Sequence, residues 1–275
     1  MLGALIGAGV LAGLYGLIVT ALFLSQRQIL FRPDPTPPDL IRAGVPGTRQ
    51  IIVATPDGLS LLAWYMPPRD GGRVVLYLHG NAGNIGHRGY RLERFRRLGW
   101  GALLLEYRGY GGNPGRPSEA GLIVDARAGL AALRTMGFPP ADVLLWGESL
   151  GSGLVVRLAT EQPVGAVLLE SPYTSIADIA RSRFPYVPVR WLLLDPFDSL
   201  RIIGDARAPV LVLHGAHDRI VPVAMGRAIY AAAPDPKRLW IAPQAGHVDL
   251  VEAGAIEAAG VFIADMERAT RPRRD

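Results

Sequence analysis

Five consecutive residues, Gly147, Glu148, Ser149, Leu150 and Gly151, fit the pattern G-x-S-x-G, with an apolar run (VLLW, 143–146) before them and GLVVRLA (153–159) after them. A sharp strand-to-helix turn here holds a serine in a strained backbone conformation with its hydroxyl exposed, and the flanking glycines remove side chains that would clash across the turn. The helix that begins at the turn aims its N–H groups and positive end at negative charge developing on a substrate. A serine hydroxyl is a weak nucleophile until a base takes its proton. Five histidines are available: His79, His87, His214, His217 and His247. His247, in PQAGHVD (243–249), falls between the last expected strand and the last expected helix. That places its imidazole at the carboxyl edge of a parallel sheet, where sites of such folds form. The acid of the set should follow the serine and precede the histidine. Asp218 does so, just past the apolar run at 210–213. Asp195, Asp198 and Asp205 precede that run, Asp235 follows a helix and Asp249 follows His247, so Asp218 is the acid expected and His217 reads as a loop residue.

The chemistry also needs donors for an oxyanion. The segment 79–84 (HGNAGN) follows the run VVLYL, and its small residues let the backbone approach a substrate carbonyl. The backbone N–H groups of Asn81 and of Leu150, the residue after the nucleophile, are the expected pair. His79 reads as a buried side chain hydrogen-bonded to nearby backbone, shaping the loop.

These residues require a scaffold of alternating strands and helices. Ile51–Val53 and 59–65 flank Pro56, Asp57 and Gly58, a hairpin signature. Strands are expected at 74–78, 102–105, 143–146, 166–169, 210–213 and 239–241, with helices over 84–98, 118–136, 149–160, 223–233 and 250–266. Alternation of this kind implies a mostly parallel central sheet with helices on both faces. The forty or so residues between the strands ending at Leu169 and starting at Val210 include FPYVPVRWLLL (184–194), an apolar insertion that reads equally as a lid over Ser149 and as a helix packed on the sheet. An apolar lid favours acyl chains over sugars or peptides.

With those residues in place, the chain resembles an α/β-hydrolase. More narrowly it is similar to the membrane-anchored α/β-hydrolase-domain serine hydrolases related to eukaryotic protein depalmitoylases and their bacterial counterparts. The stretches that carry the resemblance are LYLHGNAGNIGHR (76–88), EYRGYGGNPGRPSEAGLIVDA (106–126), GESLGSG (147–153), ESPYTS (170–175), LHGAHDRIVP (213–222) and PQAGHVDL (243–250). The resemblance implies Ser149, Asp218 and His247 as a triad acting on acyl esters or thioesters through an acyl-enzyme. No metal or cofactor is expected. The readings set beside this one are a serine peptidase and a non-catalytic membrane-anchored scaffold on the same fold. An intact Ser, Asp and His in order argues against the scaffold.

Residues 2–24 carry no charge over 23 positions. As a helix they would span about 35 Å, enough for a hydrocarbon core. No Lys or Arg precedes them and the segment lacks a good cleavage site, so an uncleaved single-pass anchor is expected rather than a signal peptide. Arg27, Arg32, Arg42 and Arg49 follow the span, which leans the carboxyl side towards the cytoplasm. Five prolines within 32–47 read as an extended linker. The expected organisation is an anchor over 1–25, a Pro-rich linker over 26–48, the hydrolase domain over 49–267 with the insertion at about 171–208, and a basic tail over 268–275.

The 275 residues are 49% hydrophobic and 19% charged, which excludes intrinsic disorder, and the absence of Cys excludes disulfides and thiol nucleophiles. Part of the net charge of +5 lies in the last eight residues, so it argues little for nucleic acid, and no such partner is expected. Arg88, Arg91, Arg94, Arg96 and Arg97 against Glu93 read as a solvated basic face, with anionic headgroups as its sharper use.

Overall fold

The structure is a computed structural model that describes residues 1–69 and 71–270. Eight strands form the central sheet: β1 (Arg49–Ala54), β2 (Ser60–Met66), β3 (Val74–Leu78), β4 (Gly101–Leu105), β5 (Val143–Glu148), β6 (Ala166–Glu170), β7 (Val210–Gly215) and β8 (Lys237–Ala242). Their order across the sheet is β8-β7-β6-β5-β3-β4-β2-β1. Strand β2 runs antiparallel to both neighbours, and every other pairing is parallel.

Strands β3 to β7 are continuous apolar runs because both faces of the sheet are covered. The pleat still sorts their side chains. Val74, Leu76 and Leu78 enter one core with Leu103, Leu145 and Val212, while Val75 and Tyr77 enter the other with Leu104, Trp146 and Leu213. Five helices matter for the site. These are α1 (Leu2–Leu30), α2 (Tyr90–Arg97), α3 (Glu119–Thr135), α4 (Leu150–Glu161) and α5 (Ile176–Arg183). Side chains of α3 and α4 fill the first core, and those of α2 and of the last helix, Ala255–Thr270, fill the second.

The last helix begins five residues later than its apolar spacing predicts. Residues 250–254 form turns instead, and Gly254, at a φ of 100°, closes them. The stretch expected at 84–98 is a short 3-10 turn, Ile85–Arg88, followed by α2. Asn84 caps that turn by accepting from the Gly86 N–H at 2.9 Å.

Helix α1 is long and apolar enough to cross a membrane, and none of its hydropathic window is buried in the protein. The Pro-rich stretch after it lies along the domain rather than standing clear of it. Arg32 and Pro33 pair in parallel with Ala82 and Gly83. Phe31 is 3% exposed and enters the first core. The Asn84 side chain donates to the Thr36 carbonyl at 2.8 Å. Of the basic tail, residues 271–275 lie outside the described residues.

Candidate active site

Ser149 sits between β5 and α4 with φ 48° and ψ −112°. A positive φ is unusual for a residue with a Cβ and marks a backbone held against its preference by its surroundings. Those surroundings are tight. A Cβ at Gly147 would stand 2.5 Å from the Gly151 carbonyl oxygen, and one at Gly151 would stand 2.0 Å from that of Leu78. No other residue type fits at either place, which is the steric content of the G-x-S-x-G pattern. The Ser149 N–H donates to the Glu170 carbonyl at 2.8 Å and fixes the turn to the end of β6.

The three residues expected to cooperate come together at the carboxyl ends of β5, β7 and β8. The Nε2 of His247 lies 3.0 Å from the Ser149 Oγ, and its Nδ1 lies 2.7 Å from Oδ2 of Asp218. An ionised carboxylate only accepts, so Nδ1 carries the proton and Nε2 is left to accept from the serine hydroxyl. Asp218 Oδ1 accepts from the N–H groups of Ile220 and Val221, each at 2.8 Å. Burial alone would push the Asp218 carboxyl up. Hydrogen bonds from His214 and His247 outweigh it and hold the group well below the usual carboxylate range.

His214 is a member of this arrangement that the sequence reading did not single out. It is fully buried, its Nε2 donates to the Val221 carbonyl at 2.9 Å, and the same atom lies 3.4 Å from Oδ2 of Asp218. It thus steadies the loop that carries Asp218. Its position at the end of β7, four residues before Asp218, was the available signal. Two of the other acids are occupied elsewhere. Asp195 pairs with Arg27 at 2.7 Å, and Asp249 accepts from the Gly246 N–H at 2.7 Å. His217 is exposed.

Asn81 and Leu150 line the same cavity as Ser149. Neither backbone N–H meets a protein acceptor among the described residues. Leu150 opens α4, where the first N–H groups have no partner within the helix. The Asn81 side chain points away and donates to the Leu30 carbonyl at 2.7 Å, while its own carbonyl accepts from Arg32 N–H and from the Tyr110 hydroxyl, each at 2.9 Å. His79 is buried, as its reading required. Its Nδ1 donates to the Gly80 carbonyl at 2.7 Å and its Nε2 faces Glu106 at 3.0 Å.

Beneath the serine lies a charge cluster where the sequence pointed to a solvated basic face. Arg91 is 2% exposed and holds Glu170 through two parallel bonds of 2.8 Å. It also reaches Glu148 at 3.2 Å, and Arg88 holds the same carboxylate at 2.9 Å. The Tyr77 hydroxyl donates to Glu148, and the Trp146 indole donates to Glu170 at 2.7 Å. Burial would raise the Glu148 carboxyl, but the charges of Arg91 and Arg88 hold it well below the ordinary value. Arg94 pairs with Glu257, and Arg96 and Arg97 pair with Glu93. The arginines of α2 therefore brace the serine turn or meet acids, rather than forming a free basic patch.

The site opens on an apolar cavity of about 520 Å³ bounded by α1, the 79–84 loop and the insertion after β6. The insertion carries α5 and the short helices Val189–Leu192 and Ser199–Ile202. Phe197 of the insertion packs into the first core, while Ile176, Ile179 and Phe184 wall the cavity.

No family model matches the sequence. The chain is 40% identical over 235 residues to "Uncharacterized protein MT2364" of Mycobacterium tuberculosis, covering 84% of each. It is 33% identical over 219 residues to the alpha/beta hydrolase domain-containing protein WAV2 of Arabidopsis thaliana, covering 70% of each. It is 34% identical over 186 residues to the lysophosphatidylserine lipase ABHD12 of Danio rerio, covering 60% of this chain and 48% of that one, about half of the lipase's length. Among solved structures, the esterase Pf2001 of Pyrococcus furiosus superposes with a TM-score of 0.67 at 19% identity, covering 87% of this chain and 97% of its own, a likeness of fold.

Proposed function

The chain belongs to the α/β-hydrolase family and is a hydrolase, and on that premise we propose that it is a membrane-tethered serine hydrolase cleaving carboxylic ester or thioester bonds of acylated, lipid-like substrates. The observation that carries the reading is the unbroken series from Asp218 through His247 to the Ser149 hydroxyl, opening on an apolar cavity. The long apolar helix α1 supports the tether, and the lipase among the relatives supports an acylated substrate.

In this mechanism the Ser149 Oγ attacks the acyl carbonyl as His247 Nε2 takes its proton. Asp218 keeps the ring in the required tautomer and stabilises the imidazolium that forms. The N–H groups of Leu150 and Asn81 receive the oxyanion. Collapse of the tetrahedral adduct breaks the bond to the alcohol or thiol, which leaves with the proton from His247, and the acyl group remains on Ser149. Water, deprotonated by His247, then releases the carboxylic acid and restores the serine.

The test is to treat the full-length protein in detergent with a serine-directed fluorophosphonate and to map the adduct. Labelling at Ser149 that disappears in Ser149→Ala, together with hydrolysis of acyl esters, is expected. Labelling of the alanine variant at the original rate overturns the assignment. Cleavage of peptide amides in preference to acyl esters would establish the peptidase reading instead.

A further inference from the structure

Along α1, Tyr15, Val19, Leu22, Gln26 and Ile29 recur every three or four residues and lie on one stripe of the helix. That stripe is turned towards the insertion. The Tyr15 hydroxyl donates to the Tyr186 carbonyl at 2.7 Å. The Gln26 side chain donates to the Leu192 carbonyl at 3.3 Å and accepts from the Leu194 N–H at 2.7 Å. Val19, Leu22 and Ile29 line the same cavity as Ser149. The helix is therefore more than a tether attached at a distance.

Its length fixes how deep this contact reaches. A helix of 29 residues is about 43 Å long, whereas a hydrocarbon core of about 30 Å takes roughly 20 residues. A core filled from Leu2 ends close to Ala21. Tyr15 lies inside that length, and so does the insertion segment it holds. Tyr186 and Trp191, 87% and 89% exposed, offer further apolar rings to the same bilayer. Val19 and Leu22 stand where the bilayer interior meets the cavity.

We infer that the last turns of α1 form the wall of an acyl-chain site, and that a bilayer lipid enters it sideways along the Tyr15–Gln26 stripe until its carbonyl reaches Ser149. The inference rests on the proposed function above and adds the binding site and the route. A chain that moves this way passes from one apolar medium to another, and avoids a passage through water whose cost grows with every methylene. The cavity volume, about 520 Å³, is in the range of small-molecule sites, about 300–1,000 Å³.

The experiment uses the full-length protein in phosphatidylcholine vesicles and a fluorophosphonate bearing a sixteen-carbon tail that ends in a diazirine. After reaction at Ser149 and illumination, the tail is expected to crosslink to the peptide containing Val19, Leu22 and Ile29. Labelling at Ser149 with crosslinks only elsewhere in the chain overturns the inference and leaves the proposed nucleophile standing. Absence of any adduct at Ser149 overturns the nucleophile and the inference with it. A second measurement compares hexadecanoyl and butanoyl esters. In Leu22→Trp the ratio of their kcat/KM values is expected to fall about tenfold as the indole fills the site, whereas Leu11→Trp, on the lipid-facing part of α1, retains the ratio. An unchanged ratio in Leu22→Trp overturns the inference.

Discussion

The Arg32 N–H donates to the Asn81 carbonyl at 2.9 Å, and the Asn81 side-chain amide returns a bond of 2.7 Å to the Leu30 carbonyl. These two bonds join the end of α1 to the 79–84 loop, whose Asn81 lines the cavity. Phe31, between them, packs edge-on against Phe197 of the insertion at 6.5 Å. Helix, 79–84 loop and insertion thus meet at the cavity that Ser149 lines.

That junction predicts different outcomes for two truncations. Removing residues 2–14 takes away only helix that lies beyond Tyr15, and turnover of a butanoyl ester in detergent should stay within about twofold. Removing residues 2–32 takes away the partner of the loop and a core aromatic, and should lower kcat/KM on the same ester about tenfold or more, because small misplacements of catalytic donors are costly. Phe31→Ala isolates the packing and should destabilise the fold by about 3 kcal/mol. Equal activity of the two truncated proteins would show that the loop holds its shape without Arg32.

A second prediction concerns pH. Asp218 is held well below the usual carboxylate range, so it stays ionised wherever the enzyme turns over. The acid limb of log kcat/KM should therefore rise with a slope of one, following the base alone. A slope of two would mean that Asp218 also takes up a proton in that range. Asp218→Asn should fold yet lose about 10⁴-fold in kcat, as the amide favours the wrong imidazole tautomer.

The charge cluster under the serine gives a third. Arg91→Leu leaves Glu170 buried without its cation and should cost about 3–5 kcal/mol at pH 7. Glu148, 15% exposed in its side chain, has a folded-state pKa depressed below its unfolded value of about 4.3. Its stabilisation is then present in full above the unfolded value and is lost as pH falls through the folded one. Thermal unfolding followed by tryptophan fluorescence should show a gap between the native protein and Glu148→Gln that is level from about pH 7 to 5 and narrows below about pH 4. A gap that widens on acidification would contradict this sign.

The positions of Ser149, Asp218 and His247 were legible because each is tied to a local event, the end of an apolar run followed by glycine or a helix start. The sheet was legible for the same reason, since a strand covered on both faces reads as a short apolar run. Arg91 was not. Its spacing with Arg88 and Arg94 resembles an exposed face, and its partners, Glu148 and Glu170, are brought to it by strands remote in sequence. The segment around Phe31 was misleading in another way. Prolines there do fix an extended backbone, but nothing local reveals that an extended backbone will pair with Ala82. Helix α1 hid its cavity-facing stripe because nearly every residue around it is apolar, so no amphipathic period marks the side that meets the protein.

Brine should leave the Ser149 turn undisturbed while loosening the outside of α2. Ions in solution screen exposed charges that lie farther apart than about 8 Å at physiological strength or about 3 Å at 1 M, and screen buried pairs much less. Arg91 and Glu170 are 2% and 1% exposed and are screened much less, whereas Arg94 and Glu257 are 36% and 54% exposed in their side chains. Molar salt therefore dissolves the outer pairs of α2 and leaves the inner one intact. The turn at Ser149 thus rests on an ion pair that responds to the ionic composition of its surroundings far less than the outer pairs of the same helix do.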